Sequence, residues 1–556
     1  MKRYTIGLDF GTETARAVLV DVENGEIAAT SVFPYPDGVI DEKLPGDTVP
    51  LPPNYALQNP ADWLSTMENA IKQVMQQSGA KGSQVAGIGI DFTSCTVLPT
   101  LTDGTPLCFV PDLKMQPHAW AKLWKHHGAQ EQADRITRLA EQRGEAWLPR
   151  YGGKISSEWL FSKAFEILED APQIYTRMQR IVEGADWIAW QLTGRLTRNT
   201  CCAGYKGTWH KQDGFPNQAF LQALHPDLVD LFSVKVSGPI LAPGQKVGGL
   251  SVEWARQLGL QPGCAVSASM IDAHAATIGG GVSEAGTMFL TMGTSTCHML
   301  MSEKEVLVPG ISGVVEDGIV PGLFGYEAGQ ASVGDIFGWF VENGVPVEYV
   351  EQAKTKNISV HRLLSQKASG LKPGQSGLLA LDWWNGCRTP LVDADLTGMI
   401  MGFNLLTRPE EIYRALIEGT AFGTRLIIDL FHQCGVAVER LRAGGGLTQN
   451  NLVLQVYADV MGLPIEIASS QQASALGAAV IGAVAGQVYP DIHSAVNKMV
   501  SPPARLVLPD EANHLIYNEI FQEYKKLVDL FGRQPESSMK KLLEIRSRAR
   551  QDMAKS

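Results

Sequence analysis

Two segments of this chain share one design. Residues 4–22, YTIGLDFGTETARAVLVDV, carry aliphatic and β-branched residues on both sides of Gly11, with Gly-Thr as the turn. Residues 287–301, TMFLTMGTSTCHMLM, repeat that arrangement around Gly293. Each reads as a strand, a tight turn and a second strand. Both turns are G-T-x-T: Gly11-Thr12-Glu13-Thr14 and Gly293-Thr294-Ser295-Thr296. Two such turns about one domain apart have the form of a duplicated nucleotide clamp. Glycine lets backbone come close to phosphate oxygens, and N–H groups and threonine hydroxyls donate hydrogen bonds to them. An ordinary hairpin turn is the competing reading of either turn alone. Asp9, just before the first turn, is placed to hold Mg²⁺ through water.

The chain has 556 residues, enough for two or three domains, and its formal net charge is −11. An excess of negative charge repels phosphate backbones, so nucleic-acid binding is not expected as its main activity. No apolar run reaches the ~20 residues of a bilayer span, and the start does not read as a signal peptide. Eight scattered cysteines include no CxxC pair. They are read as thiols in a reducing cytoplasm.

The divisions expected are 1–281, 282–495 and a helical tail, 496–556. A Pro-rich stretch from Pro34 to Pro60 reads as a surface loop, and a helix starts at Ala61. Residues 85–91, VAGIGID, read as a buried strand ending in a carboxylate. Residues 115–235 read as largely helical, with loops at Tyr151–Gly153 and Cys201–Gly207. A small-residue strand, CAVSASMID, leads into a helix and three glycines, Gly279–Gly281. The second half holds a long helix over 409–433 and a Gly444-Gly445-Gly446 turn that opens another helix near Asn450.

Several side chains stand out chemically. Asp272 ends an apolar strand and precedes a helix; it reads as an N-cap or as a general base at a domain junction. Gly446 and its neighbours leave N–H groups free for an anion or a ribose edge. Lys206 and Glu327 each sit among glycines and aromatics, which fits a polar pocket wall as well as a surface ion pair. Ser94 and Cys95 follow the 85–91 strand, and nothing marks Cys95 as an activated nucleophile. His274 and His298 lack zinc-ligand spacing and read as structural histidines with satisfied hydrogen bonds. Neither GxxxxGK[ST] nor a kinase GxGxxG set occurs at these turns.

The combination resembles the actin/hexokinase superfamily and, within it, the FGGY carbohydrate kinases. The segments that carry the resemblance are IGLDFGTETARAVLVD, QNPADW, GIGIDFTS, MIDAHAATIGGG, MGTSTC, GGGLTQNN and GMIMGFNLLTRPEEIYRALIEG. KISSEWLFSK, CCAGYKGTWH and GYEAGQASVGDIFGWF are similar to the branch that phosphorylates L-ribulose. Thr93-Ser94-Cys95 and Glu158 depart from the glycerol and xylulose branches. The resemblance implies an α/β fold of two ribonuclease-H-like domains with a cleft between them. It implies transfer of phosphate from ATP, with Mg²⁺, to the terminal hydroxyl of L-ribulose; another pentulose or a pentitol is the second reading. By the same resemblance Asp272 is the base. Gly11, Thr12, Gly293 and Thr294 cradle phosphates, Gly446 and Asn450 face the adenosine, and Ser94, Lys206 and Glu327 line the sugar pocket. A homodimer is one expected assembly. An actin-like ATPase would share the clamps without the Asp272, Lys206 and Glu327 set, and a catalytically dead binding protein would lack the base or the turns.

Overall fold

The computed structural model describes residues 2–534 and 537–555. The first sheet begins with β1 (Tyr4–Phe10), β2 (Thr14–Asp21) and β3 (Ile27–Pro34), paired antiparallel in sequence. β4 (Val85–Phe92) lies parallel to β1 on the other side. β5 (Lys246–Gly249), β6 (Ala265–Ser267) and β7 (Met270–Ile271) complete it, giving the order β5-β6-β4-β1-β2-β3 with β7 also against β4. The expected 264–272 strand is thus two short strands, both parallel to β4.

The second sheet repeats the plan. β8 (Thr287–Met292) and β9 (Thr296–Ser302) form the hairpin around Gly293. β10 (Gly313–Glu316) and β11 (Phe324–Gln330) extend it antiparallel. β12 (Arg440–Gly444) and β13 (Ile465–Ile467) run parallel to β8, with β14 (Arg505–Val507) at the edge. In both sheets an antiparallel hairpin is continued on one side by parallel strands that arrive through helices, so the duplication read from the two turns extends to whole sheets.

Local signals explain the helices. Pro60–Ser78 starts with Asn59, whose side chain accepts from the Ala61 N–H, and with a proline at its first position. It ends at Gly79, whose φ of 65° is left-handed. Cys201–Gly207 is helical, not the loop its glycines suggested: Asn199 caps Thr200–Gly207 by accepting from the Cys202 N–H. Its glycines serve packing, since a Cβ on Gly204 would overlap Val315.

Helix Ala473–Ala485 follows the second sheet in sequence but packs on β1, β4 and the helix Asp272–Gly279. A Cβ at Gly7, Gly87 or Gly89 would overlap its backbone carbonyls, so those strand glycines let it lie directly on the sheet. Its Ala475, Ala479 and Ile481 are fully buried in the core of the first unit. The tail helix Glu511–Leu527 closes the second unit with Tyr517, Phe521 and Tyr524.

Candidate active site

Parallel strands bring three carboxylates to one edge of the first sheet. Asp9 and Asp91 are register partners near the C-terminal ends of β1 and β4. Met270 pairs with Asp91 and Ile271 with Phe92, which delivers Asp272 to the same edge. In open α/β sheets ligands bind at this edge, outside the carboxyl ends of the strands. Asp9 accepts from the Arg16 guanidinium at 3.1 Å. Asp91 is fully buried, and neither of its oxygens has a hydrogen-bond partner. Burial and the neighbouring Asp9 and Asp272 raise its carboxyl well above the usual carboxylate range. Asp272 accepts from the Ala273 N–H at 2.7 Å. Burial, then the negative charges of Asp9 and Glu327, push its carboxyl up to about 7.

Next to this cluster, the Lys206 ammonium donates to both oxygens of Glu327 at 2.8 Å. The His274 ring lies 3.6 Å from that carboxylate and 4.4 Å, centroid to centroid, from Tyr205. His298 meets the expectation of a structural histidine only in part: its Nε2 hydrogen-bonds Thr424 at 3.0 Å, while its Nδ1 is buried without a partner among the described residues. His274 does not fit that expectation: both ring nitrogens are buried without a hydrogen-bond partner. Burial lowers its pKa to about 4, so it is neutral at pH 7.

Ser94 is half-buried on the turn after β4, beside Cys95, which holds a left-handed φ of 57°. Burial pushes the Cys95 thiol up to about 12, so it is no nucleophile. The turn is tied down by Lys163, whose buried ammonium donates to the carbonyls of Cys95 and Leu123, each at 2.7 Å.

Both Gly-Thr turns are hairpins. The Gly11 N–H donates to Thr14 and the Gly293 N–H to Ser295, both at 2.9 Å. The Thr12 hydroxyl accepts from the Trp124 indole at 3.0 Å, and the Thr12 carbonyl from Gln58 at 2.7 Å. The Thr294 carbonyl accepts from the Val333 N–H at 2.7 Å. Thr291 pairs with Gly444, which places the Gly444–Gly446 turn beside the Gly293 turn at one sheet edge. A Cβ at Gly446 would meet nothing within 4 Å, and one at Gly293 would touch only Ser295 at 3.8 Å. Both glycines therefore border open space. Asn450 caps the helix Asn451–Met461, accepting from Leu452 at 3.0 Å, while its amide nitrogen donates to Ser365 at 2.9 Å.

Sequence reasoning passed over Lys163 and misread His274. The strand ending in a carboxylate points to Asp91, though not to its burial. His274 and Lys163 carry no local signal, because their surroundings come from neighbours far along the chain. Among the described residues no three metal-ligating side chains converge on one point.

Comparison with known proteins agrees with this geometry. The N-terminal domain of the FGGY family of carbohydrate kinases matches residues 4–279, and its C-terminal domain matches residues 288–486. The chain is 51% identical over 554 residues to the ribulokinase of Geobacillus thermodenitrificans, covering 99% of this chain and 98% of that one. It is 50% identical over 555 residues to the ribulokinase of Shouchella clausii, covering 99% of both. Among solved structures it is similar to the xylulose kinase of Rhodospirillum rubrum, with TM-score 0.76 and 20% identity over 95% of this chain and 98% of that one. The ligand-bound xylulose kinase of Lactobacillus acidophilus matches with TM-score 0.78 and 18% identity over 95% and 98%. With both halves of the chain matched and two equivalent sheets each carrying a Gly-Thr turn, this protein belongs to the FGGY family of carbohydrate kinases.

Proposed function

We propose that this chain transfers the terminal phosphoryl group of ATP to the terminal hydroxyl of L-ribulose, giving L-ribulose 5-phosphate in the breakdown of L-arabinose. The observation that carries this reading is Asp272, set between Asp9 at the first clamp and the Lys206–Glu327 pair. A carboxylate with a pKa near 7 is matched to taking a hydroxyl proton at neutral pH. Lys206 has three donors, two of them on Glu327, which leaves one for a sugar oxygen. Ser94 lies on a turn held by Lys163 and would bound the same pocket. The turn residues after Gly11 and Gly293 would offer N–H groups to phosphates, with open space beside Gly293, and the Gly446 turn would face the adenosine. Asn450 would support that side as the cap that orders the following helix.

Phosphoryl transfer depends on positioning and charge neutralisation more than on covalent catalysis. Asp272 would hold the proton leaving the attacking hydroxyl, while closure of the cleft would keep water from competing. The carboxylate edge suits a hydrated divalent cation, because Asp91 presents buried oxygens with no partner beside Asp9. Asp9 would hold Mg²⁺ through water, and the bound ion would offset phosphate charge. Action in the cytoplasm and assembly as a homodimer complete the proposal. Among the described residues no helix is long and apolar enough to cross a membrane. The test is ADP release over a panel of pentuloses, pentitols and glycerol. L-ribulose should give the highest kcat/KM, and a clear preference for another sugar would overturn the reading.

A further inference from the structure

Among the described residues, two opposite charges border the proposed sugar site without ion-pair or side-chain hydrogen-bond partners. Arg388 is half-buried on the loop that follows Asp382. Thr389 holds that loop against β11: its N–H donates to the Gly329 carbonyl at 3.1 Å, and its hydroxyl accepts from the Gly329 N–H at 3.2 Å. A Cβ on Gly329 would meet the Arg388 Cδ and Nη1 at 3.6 Å each. Alternate residues of a strand share a face, so this is the face that carries Glu327. The guanidinium thus runs along the cleft side of the sheet, one alternate position from the Lys206–Glu327 pair. Among the described residues no carboxylate lies within ion-pair distance, 4.0 Å, of it.

Glu158 lies on the first unit. Its backbone N–H donates to the Ser156 hydroxyl at 3.2 Å, and among the described residues its carboxylate has no hydrogen-bond partner. It precedes Trp159, and the Lys206 ammonium lies 5.8 Å from the centroid of that ring. Burial works against the Arg388 charge, and Glu158 leads the groups that favour it, ahead of Cys297, Glu327 and Cys95. Glu158 also acts on Lys206 and on Cys95. Arg388, on the Glu327 face, and Glu158, next to Trp159, therefore flank the Lys206–Glu327 pair from the two units. Leaving two opposite charges close but unpaired in a cleft is unfavourable unless something polar fills the gap. A guanidinium only donates hydrogen bonds and a carboxylate only accepts them, so a hydroxyl-bearing chain between them satisfies both.

We propose that Arg388 and Glu158 are sugar-binding residues that grip L-ribulose beside the Lys206–Glu327 pair. The C-terminal tail supports the loop: Tyr524 and Gln330 both donate to Asp382, at 2.9 and 2.7 Å, and Lys540 pairs with Asp393 at 2.7 Å.

This inference rests on reading the cleft as the L-ribulose site. The experiment is steady-state kinetics of the full chain, with L-ribulose and ATP varied separately, for Arg388→Met, Arg388→Lys, Glu158→Gln and the Met/Gln double variant. Arg388→Met and Glu158→Gln should each raise the sugar KM about 10-fold or more, with the ATP KM within about twofold of wild type. Arg388→Lys should fall between, and it carries the test if Arg388→Met does not fold. The double variant should lose less than the product of the single effects, because both residues hold the same ligand. Unchanged sugar KM in the single variants overturns the proposal. So does a loss confined to kcat or to the ATP KM, which would put Arg388 on the transferring phosphate. If the wild type ignores L-ribulose but phosphorylates another ketose, the proposed function fails, and the same variants assayed with that ketose still decide this inference.

Discussion

Lys206 and Glu327, 121 residues apart, form a buried two-pronged ion pair in which the ammonium donates to both carboxylate oxygens at 2.8 Å. Removing one partner of such a pair leaves an uncompensated charge, at a cost of about 3–5 kcal/mol. Glu327→Gln and Lys206→Ala should each raise the KM for L-ribulose by at least ~10-fold while the ATP KM changes little. Ser94→Trp should shut out five-carbon substrates by bulk. If all three variants keep the wild-type sugar KM, these residues do not form the pocket.

Asp272 predicts a pH profile. Its folded pKa of about 7 is raised by burial and by Asp9, and only the ionised form accepts a proton. Below that pH the protonated fraction grows, so kcat/KM for the sugar should fall about tenfold per pH unit on the acid side. The break should lie near pH 7. Asp272→Asn should lower kcat by ~10²–10⁴-fold while ATP still binds. A variant with near wild-type kcat would return Asp272 to the role of a helix-terminal carboxylate.

Gly293 tests the second clamp. The protein leaves room for a side chain there, with only the Ser295 carbonyl at 3.8 Å, so Gly293→Val should fold normally. Any loss should come from the ligand that shares that space. The ATP KM should rise far more than the sugar KM, and the opposite pattern would exclude the two-clamp reading.

Gly89 tests the packing of helix Ala473–Ala485 on the first sheet. A Cβ at this strand position would overlap the Ala478 carbonyl oxygen. Overpacking typically costs about 1–3 kcal/mol, and here the opposing atom is backbone. Gly89→Ala should lower Tm by several degrees, measured by calorimetry. An unchanged Tm would mean that the helix can move away from the sheet.

Glu166 ties down the helical part of the first unit, pairing with Lys122 at 3.2 Å and His126 at 2.8 Å, all fully buried. Burial opposes its charge, yet Lys122 and His126 hold its carboxyl well below the usual carboxylate range. A depressed folded pKa contributes stability that is present above the unfolded value, near 4.5, and lost as pH falls. Glu166→Gln should cost about 3–5 kcal/mol at pH 7 by stranding Lys122, and less toward pH 4. Equal destabilisation at both pH values, from denaturant melts, would contradict this.

The local chemistry of the chain determined the two Gly-Thr hairpins, the 409–433 helix and the placing of Asp272 at a strand end. Each follows from residues within a few positions of one another: apolar runs, a turn glycine, a proline at a helix start. The family segments lie in the same stretches. Tertiary structure alone decided the rest. Nothing local pairs Lys206 with Glu327, sets Arg388 along Gly329 or strips His274 of partners. The glycines of Cys201–Gly207 read as a loop because their packing partner, Val315, is over a hundred residues away. Helix Ala473–Ala485 reads as part of the second half, yet it packs on the first sheet through strand glycines whose missing side chains leave no periodic trace. The pKa of Asp272 is likewise set by desolvation and by carboxylates on other strands, and burial belongs to the assembled fold rather than to any segment.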